Sequence, residues 1–315
     1  MKNQKVLVTG GAGFIGSQLC VRLRDAGYEV LGLDNFNDHL YDPALKYDRV
    51  MEFKLDCNVT DLCDIDALRR DMNFFKPDTV VHLAALAGVR DSFGKEREYH
   101  RVNIGAVLNL IDVCNEMEDK PRVIYASTSS VYGGTKVLPW VEERVDGHQL
   151  NAYAYTKYVN ECQFLNSGLF TNGLRFFTVY GPWGRPDMAL FKFTKNILDG
   201  TEIEVYNYGD MKRDFTYIDD ILDGIEIVLK NELPPGEIYN IGRGKQVELM
   251  EFVNAIEQNC GKEANIKMKP RHPADTLETW SDTTKLQELG YMPKVDVEQG
   301  IEEFCSWYKW YNGVN

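Results

Sequence analysis

Two residues that could exchange a proton with a ligand, Tyr153 and Lys157, stand four positions apart in the chain. Residues four apart share one face of a helix, so the Lys157 ammonium would lie beside the Tyr153 phenol. A free phenol has a pKa of about 10 and is a poor base at neutral pH. A neighbouring cation favours the phenolate and lowers that pKa, so the pair could accept a proton from a hydroxyl group. The same spacing also occurs on ordinary exposed helices, so it needs support from other motifs.

A run of hydroxyl side chains from Ser127 to Ser130 follows a predicted strand at Val123–Ala126. Ligands of parallel sheets bind at the carboxyl ends of the strands, so these hydroxyls would reach a bound substrate. The alternative is a Ser/Thr-rich turn whose hydroxyls bond to their own backbone. Together with the Tyr/Lys pair, the run indicates an active site at that edge of a sheet.

A glycine-rich segment, residues 9–16, follows the first predicted strand and opens the first predicted helix. Gly10 permits a tight turn, Gly13 lets a pyrophosphate approach the backbone, and Gly16 lets helix and strand pack closely. The helix begins at Phe14 and Ile15, and its N-terminus offers N–H groups and a positive dipole end to phosphates. By itself, such a triplet is also compatible with a plain glycine-rich turn.

The second predicted strand ends at Asp34, where a dinucleotide-binding fold places the adenosine ribose. A carboxylate there accepts both ribose hydroxyls and repels a 2′-phosphate, so NAD is predicted as the cofactor rather than NADP. The alternative is a solvated charge at the end of a strand.

Short β-branched runs alternate with helical patterns over the first 180 residues, which predicts a doubly wound parallel sheet of the Rossmann type. We expect a NAD-binding domain over 1–180 and a smaller α/β domain over 181–315, mainly for the substrate, with some chain crossing back. The predicted strands are Lys5–Thr9, Glu29–Leu33, Glu52–Leu55, Thr79–Leu83, Val123–Ala126 and Leu174–Phe177. The clearest predicted helices are Leu62–Met72, Arg97–Met117, Ala152–Leu165 and Val297–Tyr311.

Composition narrows the classes of protein that the chain can belong to. A net charge of −13 argues against binding to nucleic acid or to an anionic membrane surface. The absence of a long apolar run and of a signal-peptide pattern predicts a cytoplasmic protein. Seven scattered cysteines predict free thiols, and no metal site is expected because neither a CxxC pair nor an HExxH motif occurs.

The GxxGxxG spacing, with Tyr153 and Lys157, resembles the extended short-chain dehydrogenase/reductase superfamily. The resemblance implies that Thr128, four residues before the Tyr of the Val131-Tyr132-Gly133 element, is the third catalytic residue. It also implies that Asn103 supports the active-site side of the fold. The other cofactor-binding residues that it implies are Asn35, Asp56, Cys57, Leu83, Ala84, Ala85 and Asn103, together with Tyr153 and Lys157 themselves.

Several longer segments resemble the UDP-glucuronate 4-epimerases, and the resemblance covers nearly the whole chain. These segments are residues 33–38 with 41–43, 175–189, 211–220, 277–282 and 289–291. The segment 175–189 reads RFFTVYGPWGRPDMA and carries the most specific match. The resemblance implies NAD-dependent nucleotide-sugar metabolism for polysaccharide biosynthesis, in which Tyr153 deprotonates the sugar while C4 is oxidised by NAD.

The residues after Thr128 distinguish the reactions of this group. Sugar 4,6-dehydratases carry Asp-Glu there, and decarboxylating UDP-xylose synthases carry a Glu two positions after the Thr. This chain has Ser129 and Ser130 instead, so the additional carboxylate is missing and simple epimerisation is expected.

A UDP-glucuronate 4-epimerase must hold the substrate carboxylate firmly, because the 4-keto form is a β-keto acid that readily loses carbon dioxide. Arg185 offers a bidentate fork for that carboxylate, although a surface ion pair is the alternative. By resemblance, Thr178, Ser129 and Ser130 add hydroxyl donors. By the same analogy, the UDP moiety would be bound by Tyr206, Arg213 and Arg271.

Three other functions are also compatible with the sequence. The chain could be a UDP-glucose/galactose-type 4-epimerase, a UDP-glucuronate decarboxylase, or a non-catalytic NAD-sensing scaffold. Retention of both Tyr153 and Lys157 argues against the scaffold. The resemblance also implies a homodimer whose four-helix interface is built from the helices near 97–117 and 152–165.

Overall fold

A computed structural model describes residues 4–272 and 275–314, and the chain falls into two compact units. The chain passes between the units several times, so neither unit is one continuous stretch. The first unit comprises Met1–Gly133, Val145–Arg175 and Ile225–Tyr239. The second comprises Gly134–Arg144, Phe176–Gly224 and Asn240–Asn315. The division at residue 180 into two ligand-binding domains stays a prediction.

The strands of the described residues are numbered here in chain order. They are β1 Lys5–Thr9, β2 Glu29–Asp34, β3 Cys57–Val59, β4 Thr79–His82, β5 Arg122–Thr128, β6 Thr171–Phe176, β7 Thr178–Tyr180, β8 Glu202–Tyr206, β9 Lys212–Arg213, β10 Phe215–Tyr217, β11 Ile238–Ile241, β12 Val247–Glu248 and β13 Asn265–Lys269.

The α-helices of the same residues follow the same scheme. They are α1 Phe14–Asp25, α2 Ala44–Phe53, α3 Ile65–Phe75, α4 Glu96–Tyr99, α5 Ala106–Glu116, α6 Ala152–Leu165, α7 Ala189–Asp199, α8 Ile218–Lys230, α9 Leu249–Cys260, α10 Thr284–Gln287 and α11 Val297–Asn312. None of them is both long and apolar enough to cross a bilayer.

Seven strands form one sheet in the order β11-β6-β5-β4-β1-β2-β3. The pairs β1–β2, β1–β4, β2–β3 and β4–β5 are parallel. β1 reads KVLVT, and its residues after Lys5 are buried, as expected for a central strand covered on both faces. The sheet and its flanking helices confirm the predicted Rossmann fold.

One hydrophobic core joins the sheet to α3 and α5. Leu7 and Val80 from the strands pack in one cluster with Leu68 and Met72 of α3 and Leu110 of α5. The carboxyl ends of β1, β2, β4 and β5 therefore lie on a rigid support, and these ends carry the residues that the sequence singled out.

The predicted strand at Glu52–Leu55 is wrong. α2 continues through Phe53, and Lys54 ends it in the left-handed region at φ 51°. The strand that joins the sheet begins later, at Cys57, and pairs with Gly32 of β2. The predicted long helix over Arg97–Met117 is also interrupted, because a π-helical segment over His100–Gly105 separates α4 from α5.

The second unit is built from three two-stranded pairs and several helices. β7 pairs with β10 and β8 pairs with β13, both parallel, whereas β9 and β12 are antiparallel. Helix α9 packs against α7 and α11. This unit therefore mixes short strands with helices, and its role as a substrate domain stays a prediction.

Candidate active site

Helix α6 carries the Tyr/Lys pair within its first two turns. Asn151 caps the helix by accepting a hydrogen bond from the Ala154 N–H at 2.8 Å, so Tyr153 lies in the first turn and Lys157 in the second. Tyr153 is half-buried, and the Lys157 side chain is 2% exposed. Burial lowers the pKa of Lys157 to about 8, and the nearby Glu161 charge acts in the opposite direction.

Thr128 ends β5 and starts the short 3-10 turn Ser129–Tyr132. Its hydroxyl oxygen accepts a hydrogen bond from the Ser130 N–H at 3.2 Å. The alternative, a turn whose hydroxyls bond to their own backbone, therefore holds for this one contact. A hydroxyl that accepts one bond keeps its own O–H as a donor. Thr128 is buried, whereas Ser129 and Ser130 are half-buried.

The glycine-rich turn has the geometry of a phosphate cradle. Gly10 has φ 72°, and a Cβ there would lie 3.0 Å from the Ala84 nitrogen. A Cβ on Gly16 would overlap the carbonyl oxygen of Gly10. Gly13 caps α1 with extended backbone, and no side chain of the described residues supplies the cap. The backbone N–H groups that start the helix at Phe14 therefore suit the pyrophosphate of a dinucleotide.

The carboxylate of Asp34 is 7% exposed and held in place by two donors. The Phe36 N–H donates to Oδ1 at 2.8 Å, and the Lys46 ammonium lies 3.3 Å from the same oxygen. Cys57 begins β3, which pairs with the end of β2, and burial and then the Asp34 charge raise the pKa of Cys57 to about 12. The second carboxylate oxygen is suited to ribose hydroxyls, so the site fits the adenosine half of NAD. Lys46 was missed because it lies on a different element, α2.

The other residues predicted around the adenosine sit at the same sheet edge. Asp56 and Asn35 are exposed, and the Asp56 carbonyl accepts a hydrogen bond from the Gly32 N–H at 2.8 Å. Ile15 is half-buried in the first turn of α1. Their contacts with a cofactor stay predictions.

The loop after β4 lies directly against β1. Leu83, Ala84 and Ala85 are half-buried, and the Ala84 N–H donates to the Thr9 hydroxyl at 3.2 Å. The Thr9 hydroxyl also lies 2.8 Å from Nδ1 of His82. The loop therefore runs beside the phosphate cradle, where the resemblance expects it to line the cofactor.

Asn103 connects that loop to helix α6. It accepts a hydrogen bond from the Leu86 N–H at 2.7 Å and donates to the Thr156 hydroxyl at 3.0 Å. It lies in the π-helical segment and is 2% exposed. These contacts support the helix that carries Tyr153, in keeping with the expected supporting role.

A buried ion pair close to Lys157 was missed by the sequence analysis. Glu161 of α6 binds Arg175 of β6, with Nη2 to Oε2 at 2.9 Å. The Ser127 hydroxyl donates to Glu161, and Arg175 donates to the Tyr132 hydroxyl at 3.0 Å. Glu161 stands four residues after Lys157, which was the available signal for a shared helix face.

In the second unit, the predicted carboxylate clamp already holds a carboxylate. Arg185 donates to Asp187 from Nε at 3.0 Å and from Nη2 at 2.6 Å. Thr178 starts β7, and its N–H donates to the Asp214 carbonyl at 3.2 Å. The ion pair that was weighed as an alternative for Arg185 is therefore present.

The two arginines predicted to bind UDP, Arg213 for the diphosphate and Arg271 without a specified group, donate to backbone carbonyls. Arg213 donates to the Leu277 carbonyl at 2.8 Å and to the Thr276 carbonyl at 2.6 Å. Arg271 donates to the Asp275 carbonyl at 3.0 Å, and residues 273–274 of its motif lie outside the described residues. Tyr206 ends β8 and donates to Glu204 at 2.9 Å. Their roles toward UDP stay predictions.

Comparison with known proteins identifies the family of the chain. Residues 6–242 match the model of the NAD dependent epimerase/dehydratase family. The chain belongs to the NAD-dependent epimerase/dehydratase family. It is accordingly an NAD-dependent epimerase of nucleotide sugars, and NAD is its cofactor.

The chain aligns with individual members of the family over nearly its whole length. It is 37% identical to UDP-glucuronate 4-epimerase 4 of Arabidopsis thaliana, over 98% of this chain and 76% of the relative. It resembles the crystal structure of Bacillus cereus UDP-glucuronic acid 4-epimerase in complex with UDP-glucuronic acid and NAD, with a TM-score of 0.90, 33% identity, and 98% and 100% coverage. It also resembles the crystal structure of Thermotoga maritima UDP-glucose 4-epimerase with UDP-glucose, with a TM-score of 0.89, 28% identity, and 98% and 100% coverage. The resemblance expected from the sequence is confirmed.

Proposed function

We propose that this epimerase interconverts UDP-glucuronate and UDP-galacturonate through a transient 4-keto sugar, without decarboxylation. The strand end Thr128-Ser129-Ser130 carries this proposal, because it presents three hydroxyls and no carboxylate. Neutral hydroxyl donors can hold a sugar carboxylate, whereas a Glu or Asp there would supply acid/base chemistry for other outcomes. The matches to glucuronate epimerases support the same substrate.

Proton transfer is assigned to α6. Tyr153 accepts the proton of the 4-hydroxyl, the buried Lys157 ammonium favours the phenolate, and Thr128 donates to the reacting oxygen. NAD held by the glycine turn and Asp34 would supply the hydride acceptor and donor for C4. After the keto sugar has rotated, Tyr153 returns the proton to the oxygen.

Suppressing decarboxylation is assigned to the groups that bind the carboxylate. A β-keto acid loses carbon dioxide when its carboxylate bond aligns with the carbonyl π system. Ser129 and Ser130 at the end of β5 hold the carboxylate out of that alignment. By resemblance, Thr178 and Arg185 contribute further donors to the carboxylate. Also by resemblance, UDP is bound by Arg213, Arg271 and Tyr206.

A UDP-glucose/galactose-type 4-epimerase is the second candidate, and one observation favours it. Asp187 already takes two donors of Arg185, so the fork is charge-balanced without an acidic sugar. The likeness to the Thermotoga maritima enzyme points the same way.

A product assay separates these candidates. The purified protein is incubated with UDP-glucuronate or UDP-glucose, and products are identified by mass spectrometry and NMR, with Tyr153→Phe as the control. We expect UDP-galacturonate and no UDP-pentose. A pentose product would replace the proposal by a decarboxylase, and turnover of UDP-glucose alone would favour the second candidate. No turnover of either sugar would refute both candidates.

A homodimer through α5 and α6 is part of the proposal. Leu108 on α5 and Tyr155 and Leu165 on α6 are between 45% and 66% exposed, and a second copy would cover them. Light scattering on the purified protein tests this, and a monomer at micromolar concentration would contradict it. A cytoplasmic location and a role in polysaccharide biosynthesis stay predictions.

A further inference from the structure

A buried polar network joins helix α6 to strands β5 and β6. Glu161 and Arg175 form two hydrogen bonds of 2.9 Å each, and their side chains are only 6% and 4% exposed. The Ser127 hydroxyl donates to Glu161 at 2.5 Å. Arg175 donates to the Tyr132 hydroxyl at 3.0 Å and lies over the Tyr132 ring at 4.9 Å.

The members of this network flank the residues assigned to catalysis. Ser127 directly precedes Thr128, and Tyr132 ends the turn that holds Ser129 and Ser130. Glu161 lies one helical turn beyond Lys157 and two beyond Tyr153, on the same face of α6. The network therefore connects the hydroxyl-bearing strand end to the helix that carries the Tyr/Lys pair.

We infer that Glu161, held by Arg175 and Ser127, is a positioning residue that sets the catalytic helix against the end of β5 and places its negative charge toward Lys157. The inference rests on the proposed function, because that function gives Lys157 and Tyr153 their roles. It concerns a group that does not contact the substrate.

The electrostatics around Lys157 give Glu161 a measurable effect. Burial lowers the pKa of Lys157 to about 8, and the charge of Glu161 raises it. His82 of β4 also faces Lys157, but burial, followed by the Lys157 charge, lowers the pKa of His82 to about 3, so the ring is neutral at pH 7. Glu161 is thus the group that counteracts the loss of the Lys157 proton. Without that proton, Tyr153 loses the cation that favours its phenolate.

A purely structural ion pair would behave differently from a pair that also tunes Lys157. Glu161→Gln keeps an acceptor for Ser127 but leaves the Arg175 charge uncompensated. The double variant Glu161→Gln/Arg175→Gln removes both charges, so the buried charge balance is restored while Lys157 still lacks the carboxylate. Asp71→Asn is the matched control, since Asp71 is a buried carboxylate bonded to Thr60 and Arg70 away from these residues.

The experiment titrates Tyr153 in the NAD-loaded protein. Phenolate absorbance is followed against pH for each background, and the titration of the same background with Tyr153→Phe is subtracted. We expect Lys157 to lose its proton about one pH unit lower in the single and the double variant, because an opposite charge near it is worth about that much. Tyr153 then loses its cation earlier and ionises at higher pH in both variants. The upper limb of the kcat–pH profile should move to lower pH in both, and Asp71→Asn should match the wild type.

Each other outcome overturns the inference. A double variant that titrates like the wild type assigns the pair to structure alone. If the double variant does not fold, a Glu161→Gln single variant that titrates like the wild type overturns the inference in the same way. Failure of the proposed function is seen in the turnover assay instead. There, Tyr153→Phe would turn over UDP-glucuronate as fast as the wild type, or the wild type would show no turnover. The absorbance titration needs no substrate, so the two failures are distinguishable.

Discussion

Arg185 donates two hydrogen bonds to Asp187, from Nε at 3.0 Å and from Nη2 at 2.6 Å. The loop that carries this pair is held by aromatic packing within the second unit. Trp183 has φ 62°, an uncommon value for a residue with a side chain, and its ring centroid lies 5.3 Å from those of Trp307 and Tyr311. The guanidinium is therefore preorganised, and its charge is already balanced.

Neutralising Asp187 tests whether it competes with a substrate carboxylate. Asp187→Asn keeps the shape of the side chain but leaves the Arg185 charge uncompensated. We expect the KM for UDP-glucuronate to fall about threefold, a modest electrostatic gain at a partly exposed site, while the KM for UDP-glucose stays the same. A higher KM for UDP-glucuronate would mean that Asp187 is needed to orient Arg185.

Removing Arg185 tests the carboxylate clamp itself. Arg185→Ala should weaken UDP-glucuronate binding by about 2–4 kcal/mol, because a charged hydrogen-bond partner is lost. It should also release UDP-pentose, since the keto acid is held less firmly. Calorimetry and product analysis by mass spectrometry check both effects, with Lys195→Ala as the control at an exposed pair with Asp199. Unchanged affinity without pentose would assign Arg185 to loop structure.

Replacing the phenol tests the proton-transfer assignment. Tyr153→Phe should lower kcat by about 10²–10⁴-fold, the usual contribution of a positioned acid–base group. The NAD content of the purified protein should change little, because the glycine turn and Asp34 are untouched and only one predicted cofactor contact is lost. Initial rates and cofactor absorbance measure the two quantities, and a kcat equal to that of the wild type would refute the assignment.

The pKa of Lys157 predicts a pH profile. The group is charged below its pKa of about 8, and only the charged form favours the Tyr153 phenolate. We therefore expect kcat to decline as the pH rises through about 8. Rates measured from pH 6 to 10 in a constant-ionic-strength buffer check this. A profile that stays flat to pH 10 would show that the Lys157 charge is not required.

Cofactor choice is expected to depend on Asp34. Asp34→Asn should weaken NAD binding by about tenfold, since one charge-assisted acceptor for the ribose is lost. Binding of NADP should improve in relative terms, because Lys46 would be left without its carboxylate. Calorimetry on cofactor-depleted protein checks both, with Asp25→Asn at an exposed pair as control. An unchanged NAD/NADP ratio would contradict the prediction.

Features that depend on neighbouring residues were predictable from the sequence. The bounds of α6, Ala152–Leu165, agree with the prediction, because a helical pattern begins directly after the capping Asn151. β1 and the glycine turn followed from a β-branched run and the spacing of Gly10, Gly13 and Gly16. The strand predicted at Glu52–Leu55 failed, since alternating apolar residues there also fit the last turn of a helix that ends at Lys54.

The sequence by itself determined the cofactor turn, the Tyr153/Lys157 spacing and the hydroxyl run at Thr128, because each is set by backbone geometry over a few residues. Only the tertiary structure decided which charges meet. Lys46 reaches Asp34, and Arg175 reaches Glu161, from different elements of the first unit. Such pairs depend on how the helices pack on the sheet, because burial and distance decide which charged groups meet. No local pattern of residues encodes that packing.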